Sequence, residues 1–395
     1  MTEDDAPAAG APGIRILWLT PTLSSRFGGP TTTAVNGVVA EKRVGLSTEI
    51  ATTVSRNGAG DSEAAMKRLA ADHVPVRTFT RAGNSASAEA WGLSPSLAVW
   101  ITRNLRTFDI VHLQYVWCMT SLLGCLLAKL RGIPVVVTPH ESLTDYDLDI
   151  ASRSRPKRAF KRLLKRFYLR TVDCIVFMSE LEERDTESGN RRTVRIAHAV
   201  AERTYPGEHG FVSGNTGPLR IGFLGRNIPK KGIDRLIEAL AREPGRGWRL
   251  LVAGPSGTDE FVAEQDGLVR TLDVEDRVEW LGFLDESASL FGHCDVLAMP
   301  SAYEGFGMVA AEAMSHGLPV VVPRRSGVAE IVSEFRAGIV MDEPDVADLT
   351  AALVKFDEER DVWPTYSRNG VAAVEEKLTF RAYGSNLRKL YASLV

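Results

Sequence analysis

Two successive series of short apolar runs, five in each half of the chain, constrain this sequence more than any single motif. The first series falls at 14–20, 48–54, 110–113, 135–138 and 174–178, the second at 219–224, 249–253, 278–281, 296–299 and 319–322, with helical patterns between the runs. Such alternation signals α/β units on mainly parallel sheets. Between the series lies 201–218, rich in Gly, Pro, Ser and Asn and poor in apolar residues, which reads as a connection. A chain of 395 residues exceeds one typical core of ~100–200 residues. The expected fold class is therefore α/β, two doubly wound Rossmann-like domains at 14–200 and 219–376, preceded by a disordered tail at 1–13 and followed by a helical segment at 377–395. Domains of this kind bind ligands at the carboxyl ends of their strands, so the two sheets are expected to face a central cleft.

Composition narrows the class further. A hydrophobic fraction of 44% with 25% charged residues describes an ordinary globular protein. A net charge of −3 speaks against a general nucleic-acid binder, and no nucleic-acid partner is expected. The acidic tail is the opposite of a secretory n-region, and no window supplies the ~18 apolar residues of a membrane span, so a cytoplasmic location is expected. Cys118, Cys125, Cys174 and Cys294 form no Cys-x-x-Cys pair and lie in apolar segments, which suits buried free thiols. No metal constellation is present in the sequence, and neither a metal nor an organic cofactor is expected.

Several motifs follow strands directly. Glu304-Gly-Phe-Gly-Met-Val-Ala-Ala-Glu312 places two carboxylates eight positions apart across a glycine turn that enters a helix near Met308. Unpartnered N–H groups and the helix dipole at that start favour a phosphate, and the carboxylates suit sugar and ribose hydroxyls. A capped strand-turn-helix corner with two solvated glutamates is the alternative. Gly225-Arg-Asn-Ile-Pro-Lys-Lys-Gly232 is a second strand-loop-helix segment, in which Arg226 offers a planar donor fork and Lys231 a compact charge for a pyrophosphate, or else both are simply solvated. Gly28-Gly29-Pro30 makes an exposed turn after the first strand, or a plain flexible loop, and Thr138-Pro-His140-Glu141 puts a polar cluster at a strand end. The stretch 153–170 holds nine Lys/Arg and no acidic residue, with Ala159, Phe160, Leu163, Leu164 and Phe167 at helical spacing. It is either a core-docked helix with a solvated basic face or one whose apolar stripe packs on the first domain while its basic face meets anionic lipid.

Together, Gly28-Gly29, Thr138-Pro-His-Glu141, Arg226 with Lys231-Gly232, and the Glu304-x7-Glu312 pair resemble the retaining GT-B glycosyltransferases of family four, the glycosyl transferases group one. The resemblance covers nearly the whole chain after the tail, and the segments 111–117 and 178–182 look most like members that build bacterial polysaccharides or glycolipids. It implies that Arg226 and Lys231 hold the diphosphate, that Glu312 accepts from the ribose, and that Glu304 with the backbone of Gly305, Phe306, Gly307 and Met308 holds the donor sugar. It further implies that His140 faces the sugar, that Gly28 and Gly29 approach the phosphates, that Gly254-Pro-Ser256 and Gly282-Phe283 line a nucleobase pocket, and that the closing helix returns to the first domain. Glu141, where many relatives carry Asp or Gly, and His198-Ala199, where many carry Asn-Gly, are departures that bear on acceptor and sugar preference.

The activity so implied moves a sugar from a nucleoside diphosphate sugar, UDP- or GDP-linked, to an acceptor hydroxyl with retention of configuration. No carboxylate is obviously placed as a covalent nucleophile. Front-face attack, with the leaving phosphate taking the acceptor proton, is preferred to Glu304 as nucleophile. Two cations and a helix dipole can meet the pyrophosphate without a metal. The expected acceptor is a glycan or lipid-linked intermediate, with the enzyme peripheral on an anionic membrane surface through 153–170. A soluble-acceptor transferase, a phosphorylase on the same fold and a catalytically silent sugar-nucleotide-binding protein are the alternatives.

Overall fold

The computed structural model describes residues 13–56, 60–150, 154–200, 216–284 and 287–395. The tail at 1–13 apart from its last residue, most of the connection at 201–218, and Arg153 lie outside the described residues. The chain divides into two compact units, Met1–Ala199 with Phe380–Val395, and Val200–Thr379.

The first unit is built on seven strands: β1 (Arg15–Leu19), β2 (Ser47–Val54), β3 (Val76–Thr80), β4 (Ile110–Gln114), β5 (Val135–Thr138), β6 (Cys174–Phe177) and β7 (Thr193–Arg195). They lie in the order β3-β2-β1-β4-β5-β6-β7, every neighbouring pair parallel. The second unit holds six: β8 (Arg220–Leu224), β9 (Arg249–Ala253), β10 (Val278–Gly282), β11 (Val296–Ala298), β12 (Val320–Pro323) and β13 (Gly338–Met341). Their order is β10-β9-β8-β11-β12-β13, again all parallel. Parallel strands need helical crossovers, and helices cover both faces, so inner strands are buried throughout and read as unbroken apolar runs. β5, β6 and β12 are buried at every position.

In each sheet the chain reverses its direction of progress, between β1 and β4 and between β8 and β11. Loops leaving adjacent strands diverge at such a point, and the gap between them is where ligands enter open α/β sheets. The segments after β8 and β11 carry the motifs at 225–232 and 304–312.

The helix Phe380–Ala392 belongs to the first unit and packs along Gly29–Arg43. A Cβ at Gly384 would lie 2.4 Å from the Ala40 carbonyl oxygen, so only glycine permits that approach. Phe380, Tyr383, Leu387, Leu390 and Tyr391 enter the core beneath β1 and β4. All four cysteines are free and buried.

The basic helix is real, running Arg155–Thr171, but its orientation corrects the sequence expectation. Lys161 and Tyr168 are its buried residues, whereas Phe160 and Leu163 are 46% and 66% exposed. The inward lysine is stabilised by Asp147, whose carboxylate receives Lys161 Nζ at 2.5 Å, and Lys165 reaches Asp145 at 3.4 Å. Three of the five residues of the predicted apolar stripe, Ala159, Phe160 and Leu163, therefore face outward, with Trp91 against Phe160 at 6.4 Å between ring centres. Among the described residues no helix is long and apolar enough to cross a membrane.

Candidate functional site

The loop after β8 is tied down by its neighbour. Gly225 N–H donates to the Ala253 carbonyl at 3.0 Å and Asn227 N–H to that of Pro255 at 3.0 Å. Gly254 has φ +133°, and a Cβ there would lie 2.0 Å from the Gly225 carbonyl oxygen, so this crossing of two backbones demands glycine. Gly232 ends the loop with φ +76° and would place a Cβ 2.4 Å from the Pro300 carbonyl oxygen. The loop after β8 is thereby pressed against the segment leaving β11.

That contact brings together two residues singled out from the sequence. Lys231 Nζ lies 2.5 Å from Glu304 Oε1, with side chains only 18% and 12% exposed. Burial raises the Glu304 carboxyl, but Lys231 and Lys230 outweigh it and lower it to about 2. The backbone of Glu304 is pinned as well: its N–H donates to the Arg325 carbonyl at 3.0 Å, and its own carbonyl accepts from Gly327 N–H at 3.0 Å. Arg226 stands at the surface, with no hydrogen bond or ion pair from its side chain among the described residues.

Gly305, Phe306 and Gly307 make the turn into the helix Met308–Ser315. Gly307 caps it with φ +100°, and a Cβ would meet Met299 Cε at 2.9 Å and Ser326 Oγ at 3.0 Å. Phe306 is only 3% exposed, so its ring belongs to the core and its backbone alone is available to a ligand. Its carbonyl is occupied by Val328 N–H at 2.6 Å. Met308 and Glu312 are half-buried, the latter one turn into the helix.

Beside the same loop, a hollow of about 140 Å³ opens at the carboxyl ends of β8, β9 and β10. Gly225, Gly254, Ser256 and Gly282 line it, as do Asn227, Asp266 and Trp280, which motif reasoning missed. Trp280 is 40% exposed. Phe283, expected here, is 56% exposed and does not line the hollow. Asp266 and Val262 could have been found as an i, i+4 pair on one face of the helix Asp259–Thr271. Nothing in the sequence distinguishes Trp280 from an ordinary strand residue.

In the first unit, Gly28 (φ +72°) caps the helix Gly29–Arg43 and accepts the Thr31 N–H at 3.0 Å. Gly29 is exposed, with nothing within 4 Å of the place where a Cβ would stand. His140 follows β5 and is 7% exposed. It and Glu141 both adopt left-handed backbone, φ 52° and 60°, a strained pair for non-glycine residues. Glu182 stabilises that turn: its carboxylate accepts the Glu141 N–H at 2.5 Å and the Met178 N–H at 2.9 Å, while Ser179 Oγ accepts the Glu182 N–H at 3.1 Å. Burial pushes the Glu182 carboxyl up to about 7.

The His140 ring is gripped on its edge and face. Nε2 lies 2.5 Å from Gln114 Oε1, and the ring stacks on His198 with centres 5.5 Å apart and planes 7° apart. Burial pushes the His140 imidazole down to about 3, so it is neutral near pH 7. Gln114 and His198, neither assigned a role from the sequence, are thus its immediate partners. Among the described residues no group of three His, Cys, Asp or Glu could hold a metal ion.

Residues 209–370 match the family model described as Glycosyl transferases group 1, and residues 28–198 match the Glycosyl transferase 4-like domain. The chain is 29% identical over 316 residues to the D-inositol 3-phosphate glycosyltransferase of Corynebacterium glutamicum, covering 73% of each chain. It is 27% identical over 326 residues to the protein of the same description from Mycolicibacterium smegmatis, covering 71% of this chain and 74% of the other. The HepE protein of Anabaena, solved with UDP and glucose, superposes with a TM-score of 0.77 at 20% identity, covering 96% of this chain and 100% of that one. Sucrose-phosphate synthase from Thermosynechococcus elongatus superposes with a TM-score of 0.76 at 19% identity, covering 96% and 99%.

Proposed function

The chain belongs to the glycosyl transferases group 1 family and carries the GT-B fold, and from that premise we propose that it transfers a sugar, with retention, from a nucleoside diphosphate sugar to an acceptor hydroxyl. The observation that carries this reading is the Lys231–Glu304 contact at the open start of the helix Met308–Ser315, beside the hollow walled by Trp280. A diphosphate lies against Lys231, Arg226 and the helix start, where positive charge offsets the charge that develops as the leaving group departs. The base enters the hollow against Trp280, Glu312 takes the ribose hydroxyls, and Glu304 takes sugar hydroxyls as a carboxylate. His140, neutral, contacts the transferred sugar, and Gly28 and Gly29 leave room for the phosphates. With two cations and a helix dipole on the pyrophosphate, the reaction proceeds without a metal, and the leaving phosphate oxygen takes the acceptor proton.

For the acceptor, the outward row of Phe160 and Leu163 among exposed basic residues of Arg155–Thr171 favours a lipid-linked substrate met at an anionic membrane surface. A second reading, a small phosphorylated polyol, is favoured by the relatives described as D-inositol 3-phosphate glycosyltransferases. Nucleotide release is measured from UDP-, GDP- and ADP-sugars, with and without EDTA, lipid extract in anionic vesicles, and inositol phosphate. EDTA-resistant release from one donor, lost in Glu304→Ala and Lys231→Ala, is the expected result, and no release or binding with any donor overturns the reading. Stimulation by extract or by inositol phosphate decides between the acceptors.

A further inference from the structure

Behind His140 a file of hydrogen bonds runs through the interior of the first unit to its C-terminal helix. Glu41, fully buried, accepts Trp18 Nε1–H at 3.0 Å from each carboxylate oxygen and Thr48 Oγ1–H at 2.5 Å. An indole N–H only donates, and burial pushes the Glu41 carboxyl up to about 7, so above that pH Glu41 is a carboxylate and the accepting end of the file. The Tyr391 hydroxyl donates its one proton to Glu41 Oε1 at 2.5 Å, which leaves its oxygen to accept from His112 Nδ1 at 2.6 Å. His112 then carries its proton on Nδ1 and presents a lone pair at Nε2, where Thr138 Oγ1 stands at 2.8 Å and Gln114 Nε2 at 3.5 Å. The Thr138 hydroxyl donates to that lone pair, and the Gln114 amide nitrogen lies on the same side of the ring, which leaves Oε1 toward His140, so His140 donates Nε2–H to it. The ring cannot tilt freely, because His198 stacks on its face and Tyr383 backs His198 at 5.2 Å. Tyr383 and Tyr391 both come from the helix Phe380–Ala392, about two turns apart.

We propose that Tyr391 is a positioning residue that, through His112 and Gln114, fixes His140 as the Nε2–H tautomer. The nitrogen left for a ligand is then Nδ1, which accepts a hydrogen bond from a sugar hydroxyl and cannot donate one. The catalytic part of this inference rests on the reading that His140 contacts the transferred sugar. Without the Tyr391 oxygen, His112 Nδ1–H has no acceptor and its proton is better placed on Nε2. The Gln114 amide then reverses and offers N–H to His140, whose own proton moves to Nδ1.

The test uses the full chain labelled with 15N-histidine at about pH 9, where Glu41 is ionised, and reads the ring tautomers from two-bond proton–nitrogen correlations. In the wild type, His140 is protonated at Nε2 and His112 at Nδ1. In Tyr391→Phe both patterns shift toward the opposite tautomer, kcat falls ~10-fold, as expected for one hydrogen bond misdirected at the sugar, and donor KM stays within about twofold. Leu387→Ala, a core truncation in the same helix, lowers the melting temperature and leaves the His140 tautomer as it was. The proposal is overturned if wild-type His140 carries its proton on Nδ1, if Tyr391→Phe leaves both rings unchanged, or if Leu387→Ala shifts them equally. A wild type that turns over no nucleotide sugar sinks the functional reading alone, since the ring spectra still decide the tautomer.

Discussion

Replacing Lys231 with Met keeps the length of the buried stem and removes one charge from the Lys231–Glu304 contact. The Glu304 carboxyl falls from an ordinary value of 4.5 to about 2, with burial opposing the fall and Lys231 and Lys230 driving it. At about 1.4 kcal/mol for each pH unit, that fall corresponds to stability on the order of 3–4 kcal/mol. Both side chains are less than one fifth exposed, so solvent screening removes little of it. Lys230 remains in the variant, so the expected loss for Lys231→Met is about 2 kcal/mol at pH 7. The sign follows from a depressed carboxyl: the stabilisation is fully present above pH 4.5 and is lost as pH falls through about 2. The gap between wild type and variant should therefore close over that interval. Amide exchange in β8 and β11, with urea as denaturant, reads the second unit by itself. Adding Glu304→Gln to Lys231→Met should recover most of the stability, because no unpaired charge stays buried, while turnover remains lost by ~100-fold or more. A change under about 0.5 kcal/mol at pH 7, or a gap unchanged down to pH 2.5, would refute the argument.

Gly254→Ala is expected to displace the loop after β8, since the new Cβ meets the Gly225 carbonyl oxygen at 2.0 Å. Nucleotide binding by calorimetry should be lost and thermal stability reduced by about 1–3 kcal/mol, and wild-type affinity would contradict the crossing described. Trp280→Ala should weaken nucleotide binding ~10-fold or more through lost stacking while leaving kcat nearly unchanged, and an unaltered Kd would remove the base from that hollow. Phe160→Glu with Leu163→Glu should abolish co-sedimentation with anionic vesicles at an unchanged melting temperature, because both side chains already face solvent. Undiminished co-sedimentation would take the membrane away from this helix.

What the sequence determined follows from burial. The strand at 135–138 is legible to the residue because an interior strand of a parallel sheet is covered on both faces and is buried at every position. β3, β7 and β13, three of the four edge strands, escape that reading because their side chains are partly exposed, whereas the fourth, β10, is marked by Val278, Trp280 and Leu281. The turns at 225–232 and 304–308 are legible too, since Gly232 and Gly307 stand at left-handed positions where glycine costs least. The existence of the helix over 155–171 is written in its periodicity, but its rotation is not. Asp147, in a neighbouring turn, stabilises Lys161 inside and leaves Phe160 and Leu163 outside, and no pattern within the helix encodes that partner.

Tertiary structure alone decided the pairings that give the candidate site its chemistry. Lys231 meets Glu304 across 73 positions, and Tyr391 meets His112 across 279. The wall of the hollow, Trp280 and Asp266, and the grip of Gln114 and His198 on His140 come from elements that each look ordinary alone. Local sequence sets backbone preference and which residues seek the interior, and both act over a few positions. Which charge faces which carboxylate, and which imidazole nitrogen keeps its proton, depend on neighbours that only the closed core supplies.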